Sequence, residues 1–216
     1  MFFPYKDDNP RVLFPYVTYT LIAANIIIFI GLNILSFQKT IYNPIIVFGF
    51  IPNSFNLLTI FSSMFIHGGI SHIFGNMLFL YIFGDNVESI LGHTKFFIFY
   101  LICGFGAALA QYAVNPDSAI PMVGASGAIA GILGAYMIRF PKAKVHVLAV
   151  IIIFITTFII PAQIVLGLWF FIQLSNGLSS LGIDTTGGVA WFAHIGGFIA
   201  GVGSINYVQN YNFENS

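Results

Sequence analysis

Residues 144–176 read KVHVLAVIIIFITTFIIPAQIVLGLWFFIQLSN, and how many times they cross a membrane decides the fold. Residues 145–160 are rich in β-branched side chains, Pro161 interrupts them, and residues 162–174 are apolar again. A spanning helix needs roughly 20 apolar residues, so hydropathy alone admits one crossing here or two. One crossing makes a chain of six spans. Two make seven and turn the last helix the other way. Charge and the polar residues of the other spans have to arbitrate.

Composition puts the stretch in a membrane. Of 216 residues 58% are hydrophobic and 6% charged, with a mean hydropathy of +0.92; soluble domains carry about 25% charged residues. The pattern is that of a polytopic integral membrane protein. The formal net charge is zero, so no basic field invites nucleic acid. The lone Cys103 lies in an apolar run and reads as inert packing, and there is no Cys/His zinc spacing. The first apolar run is too long for a signal peptide and has no small-residue cleavage site, so it reads as a retained span. The expected spans are residues 17–36, 71–91, 95–114, 124–140 and 189–208. Residues 37–70, broken by Pro44, Pro52, Asn53 and Gly68-Gly69, read as an interfacial loop. With no linker in view, residues 1–216 read as a single domain.

The positive-inside rule favours six spans with the N-terminus inside. Lys6, Arg11, Lys95, Arg139, Lys142 and Lys144 then lie inside, with only Lys39 outside; Asp117 and Asp184 also fall outside. Polar residues inside spans are costly and usually functional or paired. His67 precedes the second span, and His72 and Asn76, at i and i+4, share one face of it. Ser126 opens the fourth span and His194 lies in the first two turns of the last. With six spans these residues share one depth, in the outer third of the membrane. A seventh span would carry His194 to the inner face. Residues 145–160 are therefore expected to be re-entrant or hairpin-like, with the fifth span at 162–176. Gly127 and Gly131, like Gly197 and Gly201, are four apart, and such small stripes let helices approach closely. Packed together they would bring Ser126 and His194 within reach.

A serine hydroxyl needs a base to become a nucleophile, and His194 is the candidate on a different span. Acyl transfer also needs donors for the oxyanion. The unpaired amides at a helix start, of Ser126 and Ala125, offer some, and His72 and Asn76 add side-chain donors. No acidic residue stands in motif position near His194, so the reading is a Ser–His dyad rather than a triad.

The motifs GASG (124–127), HGGISHIFGN (67–76) and AHIGGFIAG (193–201) resemble those of the rhomboid intramembrane serine proteases, in the same order and over essentially the whole chain. The resemblance implies an all-α bundle of six transmembrane helices with a membrane-associated first loop. It implies a serine-type endopeptidase, free of cofactors, that cleaves transmembrane segments of single-pass proteins after a small residue in a helix-destabilised stretch. By motif match Ser126 is the nucleophile, His194 the general base, and His72 and Asn76 the oxyanion donors; His67 helps to hold the first loop. Two departures stand out. LLTIFSSMFIH (57–67) lacks the Trp-Arg pair with which some relatives anchor that loop. Ala130 stands where some relatives carry a tyrosine stacked on the base, so something else must orient His194.

Plainer readings compete. A serine at a membrane helix interface is usually packing. His72 and Asn76 could be a structural pair worth about 1 kcal/mol. His93 and His146 read as solvated inner-end residues, and Asp85 and Glu88 as helix-end contacts. Zinc held by His67, His72 and His194 would make a metalloprotease, but the H-E-x-x-H pattern is absent. A catalytically inactive or non-enzymatic relative that binds transmembrane helices is the main alternative; no repeat suggests a transporter. The expected partners are transmembrane substrates and the lipid bilayer, without nucleic acid. The expected place is a bacterial plasma membrane, with the N-terminus cytoplasmic and the site facing out.

Overall fold

The computed structural model describes residues 2–39, 42–151, 154–181 and 189–208; Asp184 lies outside them. Eight helices occur among the described residues: α1 (Tyr16–Phe37), α2 (Pro44–Phe48), α3 (Leu57–Ser63), α4 (Ile70–Leu91), α5 (His93–Val114), α6 (Ser126–Arg139), α7 (Ala162–Ser179) and α8 (Trp191–Val208). By length and composition α1, α5 and α7 can each cross a membrane. The bounds of α1, α4, α5, α6 and α8 fall within two residues of the expected spans.

The centre is α6. Every residue from Gly127 to Tyr136 is buried, as expected of a helix that is apolar all round. Its neighbours are α4, α5, α7 and α8. Fourteen residues make about 21 Å of helix, against a hydrocarbon thickness of about 30 Å. On its own this helix is shorter than that thickness, and its first residue, Ser126, opens into a cavity.

Residues 145–160 do not form a helix. β2 (Lys144–Ile151) and β3 (Phe154–Pro161) make an antiparallel hairpin in register from Lys144↔Pro161 to Ile151↔Phe154. β1 (Phe2–Asp7) pairs with the other edge of β2, giving the order β1-β2-β3. The chain is mostly helical, as expected, but the all-α reading has to admit this small sheet. Branched side chains suit a pleated surface, and a run cut off by Pro161 falls short of a spanning helix. β1 escaped the sequence reading because Pro4 lacks a ladder donor; it sits on an edge strand, beside a register shift between Pro4 and Lys6.

The sheet lies at the end of the bundle where α4 and α6 finish. There Glu88, fully buried on α4, accepts from the Val17 and Thr18 amides (2.9 and 2.7 Å) and the Thr18 hydroxyl (2.7 Å). Pro15 gives the N-terminus of α1 no side-chain cap, so a carboxylate from another helix satisfies those orphan donors and meets the positive end of the dipole. His93 is not solvated in isolation: its Nδ1 lies 2.6 Å from Glu88. His146 is likewise paired, 2.8 Å from Asp8. Glu88→Ala is expected to destabilise the fold by about 3 kcal/mol, since bonds to charged groups contribute about 1.5–3 kcal/mol each. Unfolding in mild detergent reads this, and an unchanged midpoint would refute it.

Asp7 ties β1 to the bundle. It accepts from the Tyr136 hydroxyl and from Asn86 Nδ2 at 3.1 Å. Burial first, then the charges of Asp85 and Asp8, raise its carboxyl from 3.8 to about 6, against the opposing Tyr136 bond. Folding thus favours the protonated acid. That contribution is fully present below 3.8 and is lost as pH rises through about 6. Asp7→Asn, which stays neutral, should therefore gain stability relative to wild type as pH rises from about 4 to about 7. Melting curves across that range check this; a constant difference contradicts it.

Candidate active site

The loop between α1 and α4 is fastened to the segment just before Ser126. Phe50 and Met122 form an antiparallel bridge with bonds of 3.0 and 2.7 Å. Asn53 donates to the Ser118 carbonyl (3.0 Å) and Gly124 to the Ser63 carbonyl (2.9 Å). Ser62 Oγ donates to the Phe48 carbonyl (2.7 Å). Phe50, Ile60 and Ala108 make a small buried cluster under the loop. Backbone bonds and apolar packing supply the anchor for which the sequence has no Trp-Arg pair. His67 is buried, its ring edge-on to His72 with centroids 5.2 Å apart.

Gly124 makes the turn into α6. Its φ of 116° lies where glycine is favoured. A Cβ there would also come within 2.7 Å of His72 Nε2, and 3.8 Å from Asn76 Nδ2. His72 and Asn76 thus border the turn, with Asn76 Nδ2 also donating to the His72 carbonyl (2.9 Å). The first helical bond of α6 is Ile129 N–H to the Ala125 carbonyl (3.0 Å). The amides of Ser126, Gly127 and Ala128 therefore precede the helical ladder.

Glycine decides how closely α6 and α8 approach. A Cβ on Gly197 would strike the Gly127 carbonyl oxygen, and one on Gly201 the Gly131 carbonyl oxygen. The two stripes face one another backbone to backbone. One turn before Gly197–Gly201, in the first turn of α8, His194 sets Nε2 2.8 Å from Ser126 Oγ. Both residues line a cavity of about 410 Å³, together with His72, Ser63, Met64 and Met122.

The other ring nitrogen meets a residue that the sequence reading missed. His194 Nδ1 lies 2.8 Å from Oε1 of Gln173 on α7, a buried side chain whose Nε2 donates to the Trp169 carbonyl at 3.3 Å. The Trp169 ring lies 5.8 Å from the imidazole at 36°, and Trp191 stands edge-on at 6.3 Å. An amide inside a spanning helix is costly, and that cost was the available signal for Gln173. His194 thus faces Ser126 and Gln173. Among the described residues, no three His, Cys, Asp or Glu side chains are placed to share a metal ion.

Comparison with known proteins follows the same lines. A sequence model described as "Rhomboid domain" matches residues 54–209. "Rhomboid protease GluP" of Bacillus subtilis (strain 168) is 32% identical over 194 residues, covering 87% of this chain and 34% of that protein. "Rhomboid protein 1, mitochondrial" of Saccharomyces cerevisiae is 32% identical over 150 residues, covering 67% of this chain and 40% of that protein. "Presenilin-associated rhomboid-like protein, mitochondrial" of Homo sapiens is 29% identical over 205 residues, covering 90% and 49%. The chain therefore spans between about a third and a half of the length of these relatives.

Proposed function

The chain belongs to the rhomboid family of integral membrane proteins, and from that premise we propose that it is a serine-type endopeptidase cutting transmembrane segments of single-pass proteins. The family contains intramembrane serine proteases and also inactive members. One observation carries the choice between them: Ser126 Oγ lies 2.8 Å from His194 Nε2 inside a cavity. This is the spacing at which an imidazole takes a hydroxyl proton.

In this reading Ser126 Oγ attacks the scissile carbonyl carbon while His194 Nε2 accepts its proton. The tetrahedral oxyanion is met by amides at the start of α6 and by the His72 and Asn76 side chains beside Gly124. Such donors are commonly the largest catalytic term. Collapse breaks the C–N bond, and the imidazolium gives its proton to the leaving amine. Water entering the cavity then hydrolyses the acyl-enzyme, with His194 again as base. None of these steps asks for a cofactor.

The fold as proposed has six crossings: α1, α4, α5, α6, α7 and α8, with the whole chain as one membrane domain. The hairpin β2–β3 adds no crossing, so α4, α6 and α8 run the same way. Lys6, Arg139, Lys142 and Lys144 cluster at the sheet end, opposite Ser126. The positive-inside rule then puts the N-terminus in the cytoplasm and the site toward the outer face of a bacterial plasma membrane.

The test is cleavage of a single-pass protein, with a helix-destabilised segment near its outer end, by the purified chain in liposomes with and without chelator. Chelator-insensitive cleavage by wild type is expected. Binding of the substrate without cleavage would favour the inactive, helix-binding reading.

A further inference from the structure

We propose that Gln173 of α7 is a positioning residue that fixes which nitrogen of His194 carries the proton; the inference rests on the protease reading above. A glutamine amide has one end that only accepts and one that only donates. The donating end is committed to the Trp169 carbonyl, which accepts and cannot donate. Oε1 is what remains to face His194 Nδ1 at 2.8 Å. An oxygen that only accepts requires Nδ1 to be the protonated nitrogen. The lone pair then sits on Nε2, toward Ser126 Oγ. In the opposite tautomer two lone pairs would face each other at Nδ1, and Nε2 could not take the serine proton.

The surroundings fit this task. Gly177, one turn along α7 from Gln173, lets α7 approach α8: a Cβ there would sit 3.2 Å from Ile195 and 3.4 Å from Trp191. The side chain is buried, so its amide has no solvent to compete for it. Trp169 lies against the imidazole from the same helix, while α6 offers only Ala130 one turn after Ser126. A neutral amide also orients the base without the cost of an extra charge inside the membrane. Gln173 thus does, without charge, what an aspartate does in a triad.

The experiment uses the full chain in liposomes with the single-pass substrate, reading kcat and KM separately across pH for wild type, Gln173→Met and Gln173→Glu. Gln173→Met keeps the length and loses the hydrogen bond. It is expected to lower kcat about 10- to 100-fold, part of the 10²–10⁴ that a general base contributes, with KM nearly unchanged. Gln173→Glu restores the acceptor. It is expected to recover kcat and to move the acidic limb of the profile to higher pH, because a carboxylate favours the imidazolium. In parallel, ¹⁵N spectra of His194 in the wild-type protein should show Nδ1 protonated, a readout that needs no variant to fold. A proton on Nε2, or wild-type kcat and pH profile in Gln173→Met, overturns the proposal while leaving the protease reading intact. Wild type that fails to cleave refutes the protease reading and takes the catalytic role of Gln173 with it.

Discussion

Ser126→Ala is expected to lower the rate of transmembrane-substrate cleavage by about 10³-fold or more while leaving the unfolding midpoint unchanged. Two features make the loss that large. First, Ser126 Oγ faces an imidazole, whereas Ser63 Oγ on the same cavity donates to the Ile60 carbonyl at 2.9 Å. Second, what remains is attack by water aided only by the oxyanion donors, the residual that such sites keep when the nucleophile is gone. His194→Ala should cost a similar factor, because the hydroxyl loses the imidazole that faces it. The double variant should cost no more than either single one, since residues acting as a unit are not additive. The fold should survive, because Ser126 opens α6 at its edge and the glycine stripes below are untouched. A Ser126→Ala protein that still cleaves would return Ser126 to the status of a packing residue.

Gly197→Ala should carry the next largest cost, for a different reason. Its methyl would be driven into the Gly127 carbonyl oxygen, and backbone cannot swing aside as a side chain does. The helices must separate, and Gly127 is the immediate neighbour of Ser126. Misplacement of catalytic groups by about 1 Å costs about 100-fold in rate, and overpacking of this kind costs about 1–3 kcal/mol in stability. The matched control is Gly203→Ala on the same helix, where nothing lies within 4 Å of the added carbon. It should leave rate and stability alone. Equal tolerance at both positions would contradict the packing account, and with it the reason why the hydroxyl and the imidazole meet.

Much of this was legible in the sequence. The long helices announced themselves through hydropathy, and their ends through glycine, proline and charge. The convergence of Ser126, His194, His72 and Asn76 on one end of the bundle followed from span parity once residues 145–160 were denied a crossing. Their branched side chains and Pro161 favoured something other than a helix, and the structure makes it a hairpin. The third strand was not readable, because Phe2–Asp7 acquires its pairing only from β2, across more than 130 residues of chain. The same holds for Glu88, whose acceptors meet α1 from another helix, and for the bridge between Phe50 and Met122. Helical periodicity reports neighbours three and four residues apart, not contacts of that range. Gln173 was the costly oversight. Histidine, serine and asparagine mark the starts of three spans, whereas a lone amide late in the fifth span belongs to no motif that sets it apart.

The most direct test of the central claim is to map, by peptide mass spectrometry, where a fluorophosphonate reagent attaches to the protein in liposomes. Such a reagent reacts only with a hydroxyl that a base has activated. The account predicts a single adduct on Ser126 Oγ, lost in Ser126→Ala and strongly reduced in His194→Ala. A protein that cleaves its substrate while Ser126 stays unmodified, or that labels equally well without His194, would contradict it.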